Sequence, residues 1–192
     1  MKAETVIDTF KTTGALLEGH FLLTSGLHSP VYLQCALVLQ FPKRAAEFGS
    51  AIAEHFQGKG VQLVASPAIG GIVIGHEVAR ALGARFIWTE RDGGKMILRR
   101  GFTVSAGEKT LVVEDVITTG GSTRETIAAL QEAGAEVVGA ASIIDRSGGT
   151  SDVGVPRVAL ALLNIPAVEA VDCDACKRGE TPVKPGSRKK EG

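Results

Sequence analysis

The chain has 192 residues, 44% of them hydrophobic and 22% charged. That is enough for one globular domain with a buried core, and too apolar for a disordered chain. Lys and Arg total 21 and Asp and Glu total 21, so no global field draws a polyanion such as nucleic acid, and any anion must be caught locally. The uncharged stretch 22–42 is interrupted by Thr24, Ser25, His28, Ser29, Pro30 and Gln34, which excludes a membrane span. The opening Met1-Lys2-Ala3-Glu4 lacks the pattern of a secretory leader, and three cysteines make a poor disulfide framework, so a reducing, cytoplasmic setting is expected.

Val6, Ile7 and Phe10 at helical spacing, with Gly14 as a stop, predict a short helix over residues 3–13. Residues 16–40 hold short β-prone pieces broken by Gly19, Ser25-Gly26 and Ser29-Pro30, an irregular lobe, and a helix follows over 42–57. Strands and helices then alternate: an apolar run at 61–65, a helix over 71–82, strands at 85–88 and 110–113, a helix over 122–133, and strands at 136–144 and 157–163. Such continuous apolar runs belong to strands covered on both faces, so the expected class is α/β, with a central, mostly parallel sheet flanked by helices. Sheets of this kind bind ligands at the carboxyl ends of their strands, which directs attention to the loops after Ala65, Trp88, Val113 and Ile144.

The strongest signal is residues 111–123: an apolar strand, the carboxylates Glu114 and Asp115, then Val116-Ile117-Thr118-Thr119-Gly120-Gly121-Ser122-Thr123 opening a helix. Glycines let backbone N–H groups converge on a small anion, the hydroxyls add donors, and the helix contributes its positive end, which together describe a phosphate cradle. The two carboxylates are acceptors suited to vicinal sugar hydroxyls or, through them, a divalent metal. Neither a Walker-type loop nor a Gly-x-Gly-x-x-Gly turn is present, since Gly94-Lys95 is followed by Met96. The small-residue turn Ser66-Pro67-Ala68-Ile69-Gly70-Gly71 offers a second place where backbone could approach a pyrophosphate.

The segment 111–123 resembles the signature of type I phosphoribosyltransferases, which bind 5-phosphoribosyl-1-pyrophosphate (PRPP). Other segments are similar to the orotate-using members. Residues 23–33, with Ser25-Gly26-Leu27-His28-Ser29-Pro30-Val31-Tyr32, resemble the segment that lies under the pyrimidine, and Asp145-Arg146 resembles the pair whose Arg holds the orotate carboxylate. The resemblance covers most of the chain. It implies a type I phosphoribosyltransferase fold with a hood lobe from about 1–40 and 165–185, a core from about 41–164, and a frayed basic tail at 186–192. It also implies a Mg2+-dependent pentosyltransferase making orotidine 5'-monophosphate and pyrophosphate in pyrimidine synthesis, with the metal held mainly by PRPP and reached through Glu114 and Asp115. PRPP would be bound by residues 66–71 and 114–123, including a cis bond at Ala68-Ile69, and orotate by Tyr32, Thr118 and Arg146. Residues 90–101 would be a mobile loop whose Arg91 and Lys95 act with Asp115 in catalysis, commonly across a homodimer; Arg99 and Arg100 receive no role. Some relatives carry Lys where this chain has Gly70.

Two rival readings share these residues. A purine phosphoribosyltransferase would keep the sugar-phosphate motif and differ at Tyr32 and Arg146. A PRPP-sensing regulator would use the basic stretch 177–192 on nucleic acid, against the neutral overall charge. His76-Glu77-Val78-Ala79-Arg80 starts like a zinc-protease helix but has Arg at the second His position, which leaves a solvated helix face. Cys173-Asp174-Ala175-Cys176 has metal-ligand spacing without a second cysteine pair, so zinc is expected there only if a dimer shares it.

Overall fold

The computed structural model describes residues 1–23 and 25–185; the tail expected to fray lies outside them. The elements run α1 (Ala3–Thr12), β1 (Leu16–Leu22), β2 (His28–Leu33), α2 (Cys35–Leu39), α3 (Pro42–Glu54), β3 (Leu63–Pro67), α4 (Gly71–Leu82), β4 (Arg85–Asp92), β5 (Lys95–Leu98), β6 (Lys109–Ile117), α5 (Gly121–Glu132), β7 (Glu136–Asp145), β8 (Arg157–Leu162) and α6 (Asp174–Lys177). Helix α1 stops where Gly14 takes a left-handed φ of 68°, a conformation glycine adopts without a Cβ clash. The predicted irregular lobe contains one element the sequence reading missed: α2 buries Cys35, Val38 and Leu39 at helical spacing within five residues, too short a repeat to separate from a strand.

Six strands form the central sheet in the order β5-β4-β3-β6-β7-β8. The pairs β3–β4, β3–β6, β6–β7 and β7–β8 are parallel; only the edge strand β5 is antiparallel to its neighbour. Leu63, Val64 and Ala65 are all fully buried, as expected of a strand with both faces covered. Alternation sorts the sheet residues: Val64, Leu111, Val113 and Ile143 join Phe10, Phe48, Ile52, Ile74 and Val78 on the face covered by α1, α3 and α4. Leu63, Ala65, Val112 and Ala140 join Ile127 and Leu130 of α5 on the other. Chain order reverses between β3 and β6: the chain steps from β3 to β4 on one side, then crosses to β6, β7 and β8 on the other. A crevice opens at the carboxyl ends of strands at such a reversal.

Strands β1 and β2 form a separate two-stranded antiparallel sheet. An isolated hairpin is marginally stable, and this one is laced on both edges by the C-terminal segment: His28 and Val168 exchange backbone hydrogen bonds of 2.8 and 2.9 Å, while Val183 donates to His20 at 2.8 Å and accepts from Leu22 at 2.9 Å.

Candidate active site

The carboxylates Glu114 and Asp115 lie inside β6 rather than beyond it, because the strand continues to Ile117. Residues 118–120 then turn into α5, and Gly120 at the helix start takes a φ of 76°. A Cβ there would stand 2.6 Å from Ser151 Oγ and 2.9 Å from Val153 Cγ1, so both backbone shape and space require glycine. Residues 116–123 line a cavity of about 220 Å³ together with Arg91, Glu114 and Glu125. Thr118 and Thr119 are exposed at its mouth, whereas Ile117 and Thr123 are buried. Helix α5 has no side-chain cap, so its first N–H groups are left for an anion.

The turn after β3 meets this site across the crevice. The Ala68–Ile69 bond is cis, as the resemblance implied, and Ile69 and Gly70 are exposed. A Cβ on Gly70 would lie 2.8 Å from Asp115 Oδ2 and 2.9 Å from Oδ1; glycine here leaves the carboxylate uncovered and lets the two loops converge. Ser66 and Pro67 belong to β3 and are buried. The Ser66 side chain packs beneath α4, where a Cβ on Gly75 would fall 2.0 Å from its Oγ. Burial first, and then the neighbouring Asp115 charge, push the Glu114 carboxyl well above its ordinary value. Cys35 lines one cleft with Asp115; burial, with the Asp115 charge next in effect, pushes its thiol up.

Beside the phosphate loop lies a larger cleft of about 590 Å³ whose lining includes Tyr32, Cys35, Asp115, Thr118 and Arg146. Val116, Thr118 and Thr119 line both spaces, so the two adjoin. Arg146 donates to Ser29 Oγ at 3.2 Å, and burial lowers its pKa from the ordinary arginine value while leaving it a cation. Among the described residues no carboxylate pairs with it. The fully buried Asp145 is paired instead with Arg157. A half-buried guanidinium without a counter-ion, facing a cleft, is a site for a ligand's anion.

Residues 90–101, expected as a loop, are mostly a β-hairpin. Thr89, Glu90, Arg91 and Asp92 pair with Leu98, Ile97, Met96 and Lys95, and Gly93 and Gly94 both have positive φ, 54° and 84°. A two-residue Gly-Gly turn of that kind is a hairpin signal that the sequence carried. Arg91 donates to Gly94 O at 2.6 Å and pairs with Glu125 at 2.7 Å, placing it at the phosphate cavity. Lys95 is exposed at the hairpin tip and lines neither space. Arg100 is tied to Glu90, and Arg99 lies 4.0 Å from Asp92. The partial protease-like helix motif is a solvated face, with Arg80 paired to Glu77 at 2.8 Å.

The cysteine pair needs correction too. Cys173 and Cys176 meet His20 and His28 of the same chain, so four ligands converge without a second subunit; the two histidines, eight residues apart across a hairpin, gave no recognisable spacing.

This fold and site define a phosphoribosyltransferase: the phosphoribosyl transferase domain family matches residues 38–160. The orotate phosphoribosyltransferase of Caldicellulosiruptor bescii is 52% identical over 190 residues, covering 99% of this chain and 100% of that protein. The chain belongs to the orotate phosphoribosyltransferase family. Its structure is similar to the crystal structure of orotate phosphoribosyltransferase from Aeropyrum pernix, at TM-score 0.66 and 26% identity over 82% of this chain and 93% of the other. An adenine phosphoribosyltransferase from Rhodothermus marinus gives the same TM-score, 0.66, at 24% identity over 83% and 99%, so backbone shape alone does not distinguish the base.

Proposed function

We propose that the protein transfers the 5-phosphoribosyl group of PRPP to orotate, releasing pyrophosphate and giving orotidine 5'-monophosphate for pyrimidine synthesis. The observation that carries the choice of base is Arg146: a partly desolvated guanidinium, without a carboxylate partner among the described residues, in the cleft that adjoins the phosphate loop. Its planar fork suits the orotate carboxylate, a group that adenine and hypoxanthine lack, and Tyr32 and Thr118 line the same cleft.

In this reading residues 118–123 clamp the 5'-phosphate, and the turn 68–71 positions the pyrophosphate with backbone N–H groups. Breaking the anomeric bond builds positive charge on the ribose and negative charge on the leaving group. Asp115 and Glu114 hold the vicinal hydroxyls and favour the cationic ring, so the site opposes charge with charge where it develops. The donor set fits a hard divalent cation: the Asp115 carboxylate is left uncovered by Gly70 and has Glu114 beside it. Asp115 and Glu114 would hold Mg2+, which when bound would supply charge neutralisation for the leaving pyrophosphate. Arg91 and Lys95 supply further positive charge to the leaving group, which for Lys95 requires movement of the hairpin tip or a neighbouring subunit in a homodimer. Orotate held by Arg146 presents its ring nitrogen to the face opposite the departing pyrophosphate. The free cysteines suit a cytoplasmic enzyme.

The test mixes purified protein, Mg2+, PRPP and orotate and follows the loss of orotate absorbance, with hypoxanthine, adenine and uracil run in parallel by pyrophosphate release. Turnover with orotate alone is expected. Turnover with a purine and not orotate would overturn the reading of Arg146 and Tyr32.

A further inference from the structure

We infer that His20, His28, Cys173 and Cys176 form a zinc site within one chain, joining the β1–β2 hairpin to the C-terminal segment. All four donor atoms lie within 4.8 Å of one another. Cys173 Sγ stands 3.4 Å from His20 Nε2, and Cys176 Sγ stands 3.6 Å from His20 Nε2 and 3.3 Å from His28 Nδ1. A tetrahedral zinc with its usual bond lengths to sulfur and nitrogen separates neighbouring N and S ligands by about 3.5 Å. The imidazole nitrogens, 2.7 Å apart, need to open by only about 0.6 Å to reach the corresponding N–N edge. Backbone placement has therefore gathered the ligands at the size of a coordination shell.

Their chemistry selects the ion. Two neutral imidazoles and two thiolates balance the charge of a divalent metal, which suits a site where His20, His28 and Cys173 are buried. Soft sulfur with imidazole in a closed tetrahedron favours zinc over the hard, oxygen-seeking Mg2+ of the sugar-phosphate site. His20 Nδ1 is buried without a hydrogen-bond partner, so the ring has no other polar contact fixing it than the cluster reached through Nε2. The location has a structural use: the hairpin is two-stranded and lies outside the main sheet, and small lobes with little core of their own are commonly held by a metal. His28 is also adjacent to Ser29, which receives the Arg146 hydrogen bond, so the staple lies next to the base cleft while remaining separate from it. The inference does not depend on which base the enzyme uses.

The experiment uses the untagged full chain purified under reducing conditions from zinc-supplemented cells. Elemental analysis is expected to give about one zinc per chain, and a mercurial thiol reagent is expected to release it. Replacing the metal with Co2+ is expected to give the intense visible bands of a tetrahedral ion and a thiolate-to-metal band in the near ultraviolet. Cys173→Ser with Cys176→Ser should abolish both signals; because that variant could lose its fold, the cobalt spectrum of the unaltered chain stands as the independent measurement. Folded, reduced protein with negligible zinc and no tetrahedral cobalt spectrum would overturn the proposal. A Cys173–Cys176 disulfide found by mass in the freshly isolated protein would do the same.

Discussion

Replacing Arg146 with Ala separates base recognition from sugar-phosphate recognition. Among the described residues this guanidinium makes one hydrogen bond to protein, to Ser29 Oγ at 3.2 Å, and that hydroxyl keeps its own acceptor, Val31 O, at 2.8 Å. Truncation therefore orphans nothing buried, and Tm should stay within about 2 °C of the parent. The loss falls on the ligand. A hydrogen bond to a charged group contributes about 1.5–3 kcal/mol, so KM for orotate should rise about 10- to 100-fold, while KM for PRPP changes by less than about threefold. Steady-state kinetics with each substrate varied at saturation of the other measures both. Arg146→Lys should recover only part of the loss, because an ammonium keeps the charge but not the paired donors of the fork. An unchanged KM for orotate, or equal rises for both substrates, would refute the assignment of this cleft to the base.

Asp115→Asn should lower kcat by about 10²- to 10³-fold, the scale of removing one positioned electrostatic contact, with little change in the circular dichroism spectrum. Gly120→Ala must place a side chain at a φ of 76° and 2.6 Å from Ser151 Oγ. Left-handed backbone alone costs about 1–2 kcal/mol, so Tm should fall and KM for PRPP rise together; a neutral outcome would show that the loop relaxes freely. Arg157→Leu strands the buried Asp145 carboxylate and should cost about 3–5 kcal/mol, near 10 °C in Tm. Burial works against the Asp145 charge, but the Ser147 hydrogen bonds and Arg157 outweigh it, so its pKa is lowered from 3.8. The folded group therefore holds its proton less tightly than the unfolded one: its stabilisation is full above pH 3.8 and fades as pH falls below that value. In Arg157→Leu much of that acid-side loss should disappear from a plot of Tm against pH.

Much of the site was legible because it is local. The strand, carboxylates, phosphate turn and helix of residues 109–132 are consecutive, and each residue type states its backbone requirement: apolar run, acceptors, glycine at positive φ, helix. Helix α4 was bounded correctly at Gly71 and Leu82 for the same reason, since Gly83 closes it at a φ of 66°. The hairpin at Gly93-Gly94 was written in the sequence as plainly, but was read by resemblance as a mobile loop.

What only tertiary structure decided are meetings between residues far apart in the chain. Sheet order puts β3 beside β6 and so brings Gly70 against Asp115; no local periodicity encodes which strands become neighbours. It pairs Asp145 at the end of β7 with Arg157 of β8 instead of the adjacent Arg146, which among the described residues has no carboxylate partner. Cys35 comes to line one cleft with Asp115, and the histidines of the first hairpin reach cysteines more than 140 residues later. Local patterns depend on a few neighbouring dihedrals, whereas these contacts exist only once the hydrophobic faces of the whole sheet have been covered and the two ends of the chain brought together.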